Sequence, residues 1–147
     1  MTSEQLAAHQ EICALKARYF RAMDCKDWDA LEAVFAPNLI ADFRDASGQR
    51  DEKALVRGAA NYLAYLKPML QHVSTVHHGH MPEITLISDD EAAGIWAMED
   101  KLWVAEGSDL PFRFMHGYGH YHEEYACIGG EWRIQSIRLS RLHLEVR

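Results

Sequence analysis

The apolar residues first recur at helical spacing. Ile12, Leu15, Tyr19 and Met23 fall on one stripe, and Thr2 with Gln5 can form a capping box where it begins. The spacing predicts that this helix stops near Asp24-Cys25-Lys26. Asp27 then reads as the cap of a short second helix, WDALEAVF, ended by Pro37. Residues 39–44 (LIADFR) alternate like a strand, and Ser47-Gly48 is a turn. A third helix is expected from about Asp51 to Lys67, with Leu55, Ala59, Tyr62, Leu63 and Leu66 on its buried side. After Pro68 the pattern changes to strict alternation. Residues 72–80, 83–88, 92–104, 112–128 and 131–146 read as strands, with hairpin turns at Asp89-Asp90 and Gly129-Gly130. Helices followed by a meander of long strands predict an α+β fold. A strongly curved, mostly antiparallel sheet wrapped around N-terminal helices encloses a pocket suited to a small molecule.

Composition narrows the choice of partner. The 147 residues fit a single domain, 1–147, and 48% hydrophobic with 25% charged residues is ordinary globular usage. A net charge of −7 disfavours nucleic acid and acidic membrane surfaces as partners. No apolar run approaches the roughly 20 residues of a membrane span. The first residues show no basic leader before an apolar stretch. Cys13, Cys25 and Cys127 form no CxxC pair, so reduced thiols and a cytoplasmic location are the expectation.

Strand parity singles out polar residues on apolar faces. Asp100 shares a face with Trp96, Met98, Leu102 and Val104, and Arg141 shares one with Ile137 and Leu139. His77 lies with Val73 and Thr75. Tyr19 is on the buried helical stripe, and Asp24 sits just past it. An unpaired charge in an apolar setting is costly. These charges therefore pair, at a sheet edge in the plainest reading, or line a pocket. A tyrosine or a histidine taken alone reads as core.

LKARYFRAMDCKDWDALEAVFAPNL, HHGHMPEITL, WAMEDKLWV and EEYACIGGEWRI, running on to Arg141, resemble the SnoaL-like proteins of the NTF2-like superfamily. The nearest resemblance is to the bacterial bile acid 7α-dehydratases, and a more distant one is to the scytalone dehydratases. The resemblance covers about residues 12–142. It implies the cone-shaped α+β fold of that superfamily and a homo-oligomer, homotrimer or homodimer. Carried over residue by residue, it implies a catalytic set of Tyr19, Asp24, His77, Asp100 and Arg141, the same residues that parity marks. Met23 and Phe43 stand where scytalone dehydratases carry tyrosines, which argues against scytalone as substrate, while His116 matches their second site histidine. In EGSDLPFRFMHGYGHYHEEY, parity puts Phe112, Phe114, His116, Tyr118, His120 and His122 on one side. With Phe43, Trp96 and Met98, the residues Phe114, His116 and Tyr118 are expected to bind a flat or aromatic, hydrophobic substrate. Tyr62 and Tyr65 are expected near the mouth.

Such a set implies a lyase that needs no cofactor and no metal. Eliminating water β to a carbonyl needs a base, for which neutral His77 is suited. It also needs a carboxylate to fix the imidazole, here Asp24, and a donor to the enolate oxygen, here Tyr19. Arg141 and Asp100 would hold charge near the leaving group or the carbonyl. The expected substrate is a hydroxylated cyclic or polycyclic, steroid-like ketone. Two alternatives stand beside this reading: an isomerase or polyketide-cyclase type of enzyme, and a non-catalytic small-molecule binder. A histidine metal site at His78, His80, His116, His120 and His122 is weaker, since neither Cys nor HExxH accompanies it.

Overall fold

The computed structural model describes residues 1–147. Helix α1 (Ser3–Asp24) opens on the capping box: the Thr2 hydroxyl accepts from the Gln5 N–H at 3.1 Å, and Gln5 Oε1 accepts from the Thr2 N–H at 2.8 Å. Asp27 caps α2 (Trp28–Ala33) by accepting from the Ala30 N–H. This helix is shorter than its sequence predicts. The chain is already extended at Phe35, where β1 (Phe35–Asp42) begins beside the last strand. Pro37 falls in β1 where its register shifts, a place that needs no N–H for a ladder.

The expected third helix is divided. A single 3-10 turn at Glu52–Ala54 leads into the short strand β2 (Leu55–Arg57), and only then does α3 (Ala59–Met69) begin. Leu55 and Val56 pair with Asp42 and Ala41. Gly58 then takes a φ of +93° that breaks any continuous helix. Pairing to β1 thus outweighs the helical periodicity of the apolar residues.

The remaining strands are β3 (Val73–Leu86), β4 (Glu91–Val104), β5 (Phe114–Ile128) and β6 (Glu131–Val146). The two segments expected at 72–80 and 83–88 form one strand, with a register shift at Pro82, between His80 and Glu83. Gly129 and Gly130, both at positive φ, turn β5 into β6. The sheet order is β2-β1-β6-β5-β4-β3. Only β1 and β6 run parallel, so the sheet is mixed and mostly antiparallel, in keeping with the expected α+β class. Helix α1 lies against β3 and β6, and α3 against β1. No helix is long and apolar enough to cross a membrane.

One ion pair lies wholly inside. Lys16 Nζ and Glu123 Oε2 are 2.5 Å apart with no side-chain exposure at either residue. Glu123 Oε1 accepts from the Tyr125 hydroxyl, which accepts from the Trp96 indole N–H. Burial pulls the Lys16 amine down to about 8, against the opposing pull of Glu123. A free lysine titrates near about 10.4. Between these values the unfolded chain holds more protons than the folded one, so this group makes stability rise with pH there. Comparing urea midpoints of wild type and K16M/E123Q at pH 8 and pH 10 should show the wild type gaining on the variant at the higher pH.

Candidate active site

Sheet register builds the site. His77 on β3 stands directly opposite Asp100 on β4, and Asp100 stands opposite Gly117 on β5. One rung across three strands therefore carries an imidazole, a carboxylate and a residue without a side chain, all facing inward. Arg141 on β6 reaches over Gly117 to close the row. Its Nη1 and Nη2 donate to Asp100 Oδ1 and Oδ2 at 2.7 and 3.1 Å. The Arg141 and Asp100 side chains are 8% and 6% exposed, so the pair lies in the interior wall and not at a sheet edge. Such a planar two-point contact is the strong form of an ion pair. A Cβ at position 117 would meet both partners closer than van der Waals contact. Arg141 Nε also donates to the Ala46 carbonyl at 2.8 Å, which ties the loop after β1 to the same group.

Asp24 is the last residue of α1. A carboxylate is disfavoured there by the helix dipole, so its position rests on other partners. Those partners are on β3. Oδ1 accepts from the Thr75 hydroxyl at 2.9 Å and from His77 Nδ1 at 2.7 Å, and Oδ2 accepts from the His77 backbone N–H at 2.9 Å. Because a carboxylate only accepts, Nδ1 carries a proton, and in the neutral imidazole Nε2 keeps a free lone pair. The His77 side chain is 10% exposed and lines the interior cavity.

That cavity has a volume of about 200 Å³, and 16 of its 22 lining residues are hydrophobic. Tyr19, His77, Asp100 and Arg141 all line it. Asp24 stands behind His77, at a surface cleft on the other side of the ring. Phe43 is stacked on Tyr62 at 5.5 Å and 4°, and both rings wall the cavity with Tyr65 and Phe112. Burial pushes the Tyr19 and Tyr121 hydroxyls well above the usual tyrosine range, and the nearby carboxylates of Glu123 and Asp100 push the same way. Both phenols therefore keep their protons as donors at neutral pH. The structure thus gathers all five residues of the expected catalytic set.

The expected binding residues fare differently. Phe43 lines the cavity. Trp96 and Met98 face inward as parity predicts, but they are buried behind the wall: Trp96 bonds to Tyr125, and the Met98 sulfur lies 3.8 Å from Arg141 Nη1. Phe114, His116 and Tyr118 lie on the opposite face of the sheet. His116 contacts Glu99 at 3.3 Å and the Tyr118 ring. The inward residues of β5 are Met115, Gly117, Gly119, Tyr121, Glu123 and Tyr125. The phase of this strand is the reverse of the expectation: Gly117 and Gly119 face in, while Phe114, His116, Tyr118, His120 and His122 face out. Phe112 reaches the cavity because it precedes the strand. On the outer face, His122 Nε2 contacts Ser140 at 2.9 Å, and burial lowers its affinity for a proton. No three His, Cys, Asp or Glu side chains converge as a metal site. Tyr121, Thr75 as a partner of Asp24, and the Lys16–Glu123 pair were outside the expected set. Lys16 shares the helical stripe of Ile12, Tyr19 and Met23, and a lysine on that stripe was the available signal.

Residues 4–138 match the family model of the SnoaL-like domain. The chain belongs to the SnoaL-like family. Among curated proteins it is similar to the probable cyclase FGR4 of Gibberella zeae, 26% identical over 134 residues and 87% of each chain. Among solved structures it is similar to a putative scytalone dehydratase from Novosphingobium aromaticivorans, with a TM-score of 0.84 and 18% identity over 100% of this chain and 92% of the other. A type 2 hexachlorocyclohexane dehydrochlorinase, LinA, gives a TM-score of 0.80 and 17% identity over 98% and 91%. A protein of cystatin-like fold from Nostoc punctiforme gives 0.66 and 17% over 90% of each. These structural likenesses establish the fold.

In this SnoaL-like protein, Gly117 leaves the room that the Asp100–Arg141 pair occupies. Gly117→Ala should lower stability by about 1–3 kcal/mol through overpacking. Urea denaturation measures this, and an unchanged midpoint would show that the pair does not depend on the glycine.

Proposed function

We propose that this protein is a cofactor-independent lyase that removes water from a hydroxylated cyclic ketone. The observation that carries the reading is the Asp24–His77 hydrogen bond, which leaves His77 Nε2 free beside an apolar cavity. A base of this kind contributes roughly 10²–10⁴-fold. His77 Nε2 takes the proton α to the carbonyl, and Asp24 stabilises the imidazolium that forms. The electrons of the broken C–H bond enter an enolate, whose oxygen accepts from Tyr19. The β C–O bond then breaks, a C=C bond forms, and the imidazolium returns its proton to the departing hydroxide as water. Asp100 and Arg141 present a fixed dipole to the polar end of the substrate.

The cavity is smaller than the roughly 300–1,000 Å³ of sites for drug-sized ligands. Together with the stacked Phe43 and Tyr62 rings, this favours one or two rings over a four-ring steroid. A second reading, a cyclase, draws on the likeness to the probable cyclase of Gibberella zeae. It uses the same base and leaves the mass of the substrate unchanged. Fold alone does not choose between them.

A panel of one- and two-ring hydroxyketones, read by mass spectrometry, tests the reading. Loss of one water supports the lyase, an isomeric product supports the cyclase, and binding without conversion supports a carrier. For whichever substrate turns over, His77→Ala should abolish activity with the fold intact, and Asp24→Asn should lower kcat by about 10²–10⁴-fold. Activity retained in His77→Ala would falsify the assignment of the base.

A further inference from the structure

Lys16 and its partner Glu123 are buried charges that the reaction above does not use. The Lys16 ammonium lies 3.7 Å from the centroid of the Tyr19 ring and 3.7 Å from that of Tyr121. The Phe20 ring is 4.9 Å away. The Tyr19 and Tyr121 rings meet edge to face, with centroids 5.8 Å apart, and both line the cavity. The cation therefore touches two rings that wall the cavity. Its counter-ion, Glu123, is held by Tyr125 through its other oxygen.

A purely structural role explains this poorly. A buried ion pair is weak evidence for stability, and an apolar side chain of similar size fills such space at no desolvation cost. Burial outweighs the attraction of Glu123 for the ammonium, so the Lys16 charge sits where it is disfavoured. What the ammonium offers there is a fixed positive charge against two phenols. A cation on a ring face draws electron density from the ring and makes its hydroxyl a stronger donor, an effect that grows when the cation is desolvated and that here works against the opposite push of Glu123.

We propose that Lys16 is a positioning residue for an oxyanion site in which Tyr121 is a second donor beside Tyr19: the buried ammonium against both rings strengthens their hydrogen bonds to negatively charged oxygen in the cavity. The inference rests on the enolate-forming reading above and extends it to two residues outside the expected catalytic set.

The test uses 4-nitrophenol, a one-ring probe whose neutral and anionic forms are distinguished by absorbance. Wild type should bind the anion in preference to the neutral form, so that the bound probe ionises more readily than the free one. Tyr19→Phe and Tyr121→Phe should each reduce that preference. K16M/E123Q, which leaves neither charge without its partner, should reduce it about tenfold while affinity for the neutral form stays within about twofold. Lys16→Gln, read in parallel, keeps a donor to Glu123 without the charge and should give the same loss. A merely structural role for Lys16 would weaken both forms alike or neither, and either outcome overturns the proposal. If the anion preference survives in K16M/E123Q and Lys16→Gln but is lost in the tyrosine variants, the oxyanion site stands and the role of Lys16 falls. If wild type does not bind the probe or shows no preference for its anion, the oxyanion site falls with it.

Discussion

Asp24 joins the first helix to the sheet, and the geometry of the site depends on that joint. Its carboxylate meets three donors on β3: the Thr75 hydroxyl, the His77 backbone N–H and the His77 ring. Two of these set where the end of α1 sits on the sheet. The third sets which imidazole nitrogen carries a proton. A single side chain thus fixes both the packing of the helix and the tautomer of the histidine. The helix dipole opposes a negative charge at this end, so the three donors also offset a local penalty. A residue placed against its local preference and satisfied at long range is the pattern expected at a functional site.

The second constraint is room. Inward-facing β5 carries Gly117 and Gly119 between Met115 and Tyr121. At Gly117 the vacated space is taken by the Asp100–Arg141 pair, and at Gly119 a Cβ would collide with the Ser140 backbone. The register shift at Tyr118/Gly119 lies at this point, and it sets Arg141 opposite Gly119, where the register of Gly117 and Tyr118 carried on would have set it opposite His120. From there its long side chain reaches back over Gly117 to Asp100. The glycines let the charged pair lie flat on the sheet where side chains would have pushed it into the cavity.

Much of this was legible in the chain. The parity of β3, β4 and β6 correctly put His77, Asp100 and Arg141 on apolar faces, because alternation holds locally around each; in β6 it holds only from Ile137 on, since the buried face changes there from Trp132 and Ile134 to Ile137 and Leu139. The capping residues Thr2 and Asp27 were readable because their hydrogen bonds are local. The β5 segment misled for a physical reason. In its first half Gly117 and Gly119 mark the inward face, while Phe114, His116 and Tyr118 cover the outward one, so apolar character there points the wrong way. Outside, those rings pack on one another along the sheet: Trp103 on Phe114, His116 on Tyr118, and Tyr118 on His143. The third helix misled because Leu55 and Val56 suit either a helix or a strand, and only pairing with β1 decides. Lys16 could have been flagged on its stripe, but its partner lies 107 residues away, and no local rule points to Glu123.

The polar row and the cavity walls come from different parts of the chain. Asp100 stands on β4 with a ladder on both sides, Arg141 is paired to β5, and His77 on the edge strand β3 is held by β4 on one side and by Asp24 of α1. Tyr62, Tyr65, Leu110 and Phe112 come from α3 and from the loop before β5. The wall can therefore change shape without moving the row, whereas a change in strand register would turn every polar group to the other face. The link between the two is Arg141, which grips Asp100 on the sheet and the Ala46 carbonyl in the loop after β1. Ala46 and Ser47 line the cavity with Phe43. The guanidinium thus carries the rigidity of the strands into one edge of an otherwise adaptable wall.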